Sequence, residues 1–225
     1  MGRIGIIASS GGSSFDAAQS LLAEAGRSHF AGVVVDRPCG FQQVAARHGI
    51  PCRSVAYTDA GSFSAQALDI LRDQGADACL LFYTRRVTAP LIGALPVWNL
   101  HLSLLPAFTG IGSARKMVAS GVRMAGATLH VAEESMDSGP ILSQVASPVP
   151  VGATEQDLLH LGYVHTVYLT LLTAELARLG ALQARSTPTG LPVAPNACPA
   201  LPDRALAEAF ARWAATHCPR VNFHG

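Results

Sequence analysis

Hydrophobic positions along this chain fall into two alternating rhythms. Short apolar runs recur at residues 3–9 (RIGIIAS), 30–36 (FAGVVVD), 52–57 (CRSVAY), 76–83 (ADACLLFY), 97–103 (VWNLHLS), 126–133 (GATLHVAE) and 141–149 (ILSQVASPV). Each reads as a strand. Between them, helical spacing runs from Phe15 to about Ala25, over 41–48 and over 61–73, and a long helix of about 154–179 follows the last strand. Gly49 and Pro51 end the second helix, and Gly75 closes the third. Thr154 and Asp157 offer a weak capping box to the fourth. The run 76–83 has almost no polar interruption, as expected of a strand covered on both faces. Strands alternating with helices over short connections predict an α/β fold with a doubly wound, mostly parallel sheet.

The rhythm changes past residue 180. The stretch STPTGLPVAPNACPALP (186–202) is too rich in proline and small residues for a regular helix or a central strand. DRALAEAFARWAATH (203–217) then reads as a helix, with Asp203 as N-cap and Leu206, Phe210 and Trp213 on one face. The reading is therefore a domain over 1–180, with a Pro-rich arm and C-terminal helix over 181–225. The arm either covers the domain or meets a second subunit, so a homodimer is one arrangement it allows.

Composition narrows the class. The 225 residues are 49% hydrophobic and only 14% charged, enough to bury a sizeable core. A formal net charge of +1 leaves no electrostatic footprint for nucleic acid or an anionic membrane. The longest apolar region, Leu158 to Ala174, carries His160, His165 and several Thr and Tyr, which suits a buried helix rather than a membrane span. The N-terminal MGRIGIIASSGG is too brief for a signal peptide. Five cysteines (Cys39, Cys52, Cys79, Cys198, Cys218) are widely spaced without a CxxC. That pattern argues against a disulfide framework or a structural zinc site and suits a reducing, cytoplasmic setting.

Candidate chemistry concentrates at strand ends. Asn99 and His101 lie two apart at the end of the fifth strand, so they share a face. In open α/β sheets, ligands bind beyond the carboxyl ends of the strands at a switch in strand order. SMDSGP (135–140) brings Asp137 onto a tight turn between the last two strands. An amide, an imidazole and a carboxylate are what acyl transfer to an amine needs: donors for the developing oxyanion, and a base for the amine proton. A carboxylate beside the histidine would orient it. None of the three needs a metal. Taken singly, Asn99 could satisfy strand-end backbone, His101 could be a core histidine and Asp137 an Asx-turn residue. SSGGSS (9–14), between the first strand and first helix, offers backbone N–H groups of a helix N-terminus to an anion. It does not match the dinucleotide fingerprint, which discounts NAD or FAD.

NLHLSLLPAF and then GVRMAGATLHVAEESMDSGPILSQ resemble the formyltransferase family built around glycinamide ribonucleotide transformylase. The family pattern falls here on Asn99, His101, Ser103 to Pro106, Gly126, Thr128, His130, Asp137, Gly139 to Ile141 and Gln144. The similarity also reaches IASSGGSSFDAA and TRRVTAP, and covers about residues 1–180. The resemblance implies a Rossmann-like fold, 10-formyltetrahydrofolate as formyl donor, and Asn99, His101 and Asp137 as the catalytic trio, with no metal. It implies a pterin against Arg86, Val87 and Thr88 and against Glu133, Glu134, Ser135 and Met136. It further implies a phosphate or similar group of the substrate against Gly11, Gly12, Ser13 and Ser14. Arg85 and Arg86 suggest attraction for the folate glutamate tail.

The acceptor side departs from the family. In GYVHTVY, His165 and Tyr168 align, but Val164 takes the place of a sugar-contacting Glu. Leu102 replaces a common Pro, and AFTGIGSARK follows Pro106 in place of a Pro-Gly or Arg-Gly continuation. The expectation is an enzyme that transfers formyl to the amine of a small molecule, its partners being that amine and a reduced folate. The alternatives are a glycinamide ribonucleotide formyltransferase of purine synthesis, a formyltetrahydrofolate hydrolase and a non-catalytic folate-binding protein. The hydrolases usually carry an extra N-terminal regulatory domain, and here the first strand starts at Arg3.

Overall fold

The computed structural model describes residues 2–27, 29–182 and 201–218. Seven strands form one sheet: β1 (Ile4–Ala8), β2 (Phe30–Val35), β3 (Cys52–Ser54), β4 (Ala78–Phe82), β5 (Val97–His101), β6 (Met124–Val131) and β7 (Ile141–Pro148). Their order is β3-β2-β1-β4-β5-β6-β7. The first five run parallel, and β6 and β7 are antiparallel to their neighbours. The nine residues between β6 and β7 are too few for a crossover, so that pair closes as a hairpin. The α/β, doubly wound, mostly parallel sheet expected from the rhythm is what the chain forms.

Helices α1 (Ser13–Glu24), α2 (Gly40–Arg47), α3 (Ala60–Asp73), α4 (Leu91–Ala94), α5 (Ser113–Ala119), α6 (Glu155–Arg178) and α7 (Arg204–His217) complete the fold. Thr154 caps α6 by accepting from Asp157 N, and the reciprocal bond from Thr154 N to the Asp157 carboxylate completes the box. Asp203 caps α7 by accepting from Leu206 N at 2.8 Å. Alternate residues of each central strand enter different cores. Ile6, Leu80 and Trp98 pack toward α1 and α6, whereas Ile7, Leu81 and Val97 pack toward α3. This two-sided burial explains why β1 and β4 read as continuous apolar runs.

Helix α6 is buried for most of its length. Thr166, Thr170 and Thr173 donate their hydroxyls to backbone carbonyls four residues back, at 2.8, 2.7 and 2.6 Å, so the polar groups in the core are answered locally. No helix among the described residues is long and apolar enough to cross a membrane. Leu206 and Phe210 of α7 are buried, and Phe210 meets Tyr168 of α6 edge-on with ring centroids 4.9 Å apart. Trp213 lies at the edge of that contact, stacked on His217 at 4.3 Å. The Pro-rich arm expected over 186–202 lies largely outside the described residues, as does Cys198. Two short helices, α4 and α5, were not foreseen, because neither spans enough turns to show a periodic apolar stripe.

Candidate active site

The chain order switches direction between β1 and β4. From β1 the chain builds outward to β2 and β3, then returns to lay β4 on the other side. The loops leaving β1 and β4 therefore diverge and open a crevice at the carboxyl edge of the sheet. A cleft of about 380 Å³ occupies this place, lined by Ser10 and Ser14, by Tyr83 to Val87, by Asn99 and His101, by Gly110 to Ser113, and by His130, Asp137 and Thr166, among others.

The catalytic candidates meet here although they come from separate elements. Asn99 and His101 have the parity of Val97 and stand at the end of β5. Asp137 arrives on the hairpin between β6 and β7, with a left-handed φ of 53°. Gly139 makes that turn feasible, since a Cβ there would lie 2.0 Å from the Val131 carbonyl oxygen. His101 Nδ1 lies 3.3 Å from Asp137 Oδ2, and its Nε2 donates to the Phe108 carbonyl at 2.9 Å. Oxygen atoms thus stand against both ring nitrogens. Gly110 N donates to the same Oδ2 at 2.7 Å. The Asp137 side chain is 6% exposed.

His130 completes the arrangement. Its Nδ1–H donates to the Val131 carbonyl at 2.8 Å, which leaves Nε2 to accept from the Asn99 amide at 3.1 Å. That bond fixes the Asn99 carboxamide orientation. Burial lowers the His130 pKa below the ordinary histidine value, against the pull of the Val131 carbonyl and Asp137. His130 is therefore a neutral acceptor and orients Asn99. The loop carrying Phe108 and Gly110 is pinned from below. Thr128 Oγ1 donates to Ser103 O at 2.7 Å and accepts from Leu105 N and Gln144 Nε2, both at 3.0 Å. Ser103 Oγ donates to Ala107 O at 2.6 Å.

The other sequence candidates divide. Arg86, Val87, Glu133, Glu134 and Met136 line the cleft, and Thr88 and Ser135 do not. Thr88 N donates to Ser64 Oγ at 2.9 Å. Arg86 donates to the Glu134 carbonyl at 3.0 Å and Ala89 N donates to the Glu134 carboxylate at 3.2 Å, so the two candidate pterin loops are tied together. Of the phosphate-loop residues, Ser14 lines the cleft together with Ser10, while Gly11, Gly12 and Ser13 are not on its wall. Gly12 is the N-cap of α1, with a left-handed φ of 79°.

One expectation needs correcting. Val164 was read as facing the acceptor, yet it is fully buried in the core, and Thr166 is the α6 residue on the cleft wall. Two residues along a helix turn through about 200°, so the two side chains point to nearly opposite sides. Sequence reasoning assigns no role of their own to His130 or Thr166. The histidine did stand in the matched motif, but its pairing opposite Asn99 is a property of strand register.

The formyl transferase family matches residues 2–162. The chain belongs to this family. It is 32% identical over 163 residues to the methionyl-tRNA formyltransferase of Mycolicibacterium vanbaalenii, a match covering 71% of this chain and 51% of that protein. It is 31% identical over 134 residues to the trifunctional purine biosynthetic protein adenosine-3 of Gallus gallus, covering 56% of this chain and 13% of the relative. The chain thus spans about half of the length of the first relative and about an eighth of the second. A crystal structure of glycinamide ribonucleotide transformylase 1 from Symbiobacterium toebii superposes with a TM-score of 0.76 at 30% identity, covering 83% of this chain and 92% of that one.

Proposed function

We propose that this formyl transferase family member moves a formyl group from 10-formyltetrahydrofolate to the amine of a small molecule. The observation that carries the reading is the convergence of Asn99, His101 and Asp137 from β5 and the β6–β7 hairpin on one cleft, with His130 orienting the amide. The amine nitrogen attacks the formyl carbon, and the carbonyl oxygen takes up negative charge. The Asn99 N–H and the His101 imidazole stabilise that oxyanion, a contribution typically worth about 10²–10³-fold in turnover per donor. Asp137, directly or through water, accepts the proton that the amine must lose. The carbon–N10 bond then breaks, N10 of the folate takes a proton, and tetrahydrofolate leaves.

A second cavity, of about 640 Å³, supports a place for the donor. It is walled by Ile92 to Val97, Val131, Ala132, Glu133 and Pro140, and it shares Ala132 and Glu133 with the cleft. Apolar side chains with backbone polar groups between them suit a flat heteroaromatic ring. The pterin reading thereby shifts somewhat deeper than Arg86 to Thr88, toward the start of β5.

On the acceptor side, Ile111 is 76% exposed on the cleft wall between Gly110 and Gly112, and Met136 is exposed beside it. Apolar surface at the mouth suits an acceptor that is not uniformly polar. The test is to incubate the protein with 10-formyltetrahydrofolate and pools of amines, following tetrahydrofolate release and product mass. An N-formyl product supports transfer. Formate released at the same rate with and without every amine would make the chain a hydrolase and overturn the reading.

A further inference from the structure

Between Phe108 and Gly112 the chain turns along the cleft wall through three left-handed residues. Phe108, Gly110 and Gly112 have φ of 56°, 73° and 78°. Among the described residues, two hydrogen bonds hold the stretch 109–111. Lys116 Nζ, on α5, donates to the Thr109 carbonyl at 2.6 Å, and Gly110 N donates to Asp137 Oδ2 at 2.7 Å. Both bonds fall on one peptide group. Thr109 supplies its carbonyl and Gly110 its N–H, and in a trans peptide the two point in opposite directions. One rigid plane is thus gripped on one side by an ammonium and on the other by the carboxylate that faces His101.

An exposed lysine is ordinarily a solvated charge of little structural worth. Lys116 is exposed, yet its ammonium lies beside Gly110, where an added Cβ would sit 3.9 Å from Nζ. Its backbone N–H meanwhile donates to Gly112 O at 3.1 Å, so the first turn of α5 returns the side chain onto the loop it follows. A charged donor makes the shorter and stronger kind of hydrogen bond. A cation on the carbonyl also draws electron density toward oxygen and makes the N–H across the same amide a better donor. This is the cooperative effect of chained hydrogen bonds, put at about 10–30% per bond. The consequence falls on Asp137, whose Oδ2 takes Gly110 N and lies 3.3 Å from His101 Nδ1.

We infer that Lys116 is a positioning residue, which orients the Thr109–Gly110 peptide so that its N–H aligns the Asp137 carboxylate with His101. The inference rests on the formyl-transfer reading and deepens it. It places control of Asp137 outside the cleft, since Lys116 is not on the cleft wall whereas Gly110 and Asp137 are.

Two measurements on the full chain test it. The first needs no substrate. The Gly110 amide proton, read in a proton–nitrogen correlation spectrum, should lie downfield, as a donor to a carboxylate does. It should move upfield in Lys116→Met and in Asp137→Asn. An unmoved Gly110 signal in Lys116→Met overturns the inference whatever the acceptor is. The second follows turnover of 10-formyltetrahydrofolate with the amine that the pooled screen returns. Lys116→Met should lower kcat about tenfold, less than direct loss of an acid or base. The KM values for amine and folate should stay unchanged, because the aligned carboxylate acts in the transition state. Lys116→Arg should recover most of the loss, since a single carbonyl needs a charged donor but not a fork. Lys116 is the single lysine beside fifteen arginines, so amine reagents reach it selectively. Reductive dimethylation keeps its charge and one N–H and should leave kcat in place, whereas acetylation should reproduce Lys116→Met. Neither reagent should affect Lys116→Met itself, which controls for the N-terminal amine, and the melting temperature reports whether each variant is folded. A raised amine KM with kcat kept would make Lys116 a substrate contact, and Lys116→Arg as slow as Lys116→Met would reduce it to packing. Either result overturns the inference. If no pooled amine turns over, the formyl-transfer reading fails, and the Gly110 signal still decides whether Lys116 orients the peptide on Asp137.

Discussion

Glu175 and Asp137 are both withdrawn from solvent, and their partners differ in kind. Glu175, on α6, is fully buried and faces permanent cations. Arg27 donates to both of its oxygens at 2.9 Å, and Arg178 donates to it at 3.0 Å. Arg27 also reaches Asp203, the N-cap of α7, so this network fastens the turn after α1 to both α6 and α7. Asp137 is nearly as buried, yet it meets one backbone N–H and two imidazoles. Guanidinium groups do not release a proton near neutrality, whereas imidazoles do. The first carboxylate ties elements together, and the second stands against groups of a kind that can exchange protons near neutrality.

The sharpest way to break this comparison is to remove the movable proton. Asp137→Asn can still accept from Gly110 N but cannot serve as base, and His101→Ala removes the imidazole beside it. Each should lower turnover by about 10²–10⁴-fold while shifting the melting temperature little. Near-parental turnover in His101→Ala with the true acceptor would place the chemistry elsewhere. Glu175→Gln should show the reverse pattern. Loss of the central charge leaves Arg178 without its carboxylate and Arg27 with Asp203 alone, and breaking a buried pair costs about 3–5 kcal/mol. The arginines can partly rehydrate, so about 3 kcal/mol is expected in urea unfolding. The folded fraction should retain its turnover.

Acid sharpens the contrast on a smaller scale. Burial pulls the His165 pKa down to about 3 and lowers His130 as well. Below about pH 6.5 the unfolded chain takes up protons that the native chain refuses. Stability should therefore fall by up to about 1.4 kcal/mol per pH unit for each such histidine, until the native value is reached. Urea unfolding between about pH 7 and pH 5 measures this, and His165→Gln should flatten the slope by close to one proton. The smallest effect is expected at Gly110, whose φ is 73°. Gly110→Ala should cost about 1 kcal/mol of stability from left-handed backbone strain. Turnover should fall with it, because that N–H holds Asp137. Unchanged turnover would separate the loop from the site.

The element map was largely legible in the chain. Strand positions followed from apolar runs, and the starts of α6 and α7 from Thr154 and Asp203, because a cap bonds within three residues of itself. Asn99 and His101 could be assigned to one face, since strand alternation is local. Asp137 stood out on its turn, but no spacing rule places it beside a residue 36 positions earlier, and only the matched motif joined the two. Val164 shows where local reasoning fails: alignment gave its neighbours, but the rotation of α6 against the sheet decided that Thr166 faces the cleft.

The sequence by itself thus determined which segments become strands and helices, which of their faces are apolar, and which residue types stand at the strand ends. Those properties depend on backbone preference and on neighbours a few residues away. The tertiary structure alone decided that Asp137 meets His101 and that His130 orients Asn99 across the β5–β6 register. Each of these contacts joins residues from different strands or loops, and only the order and register of the sheet bring their side chains within hydrogen-bond reach.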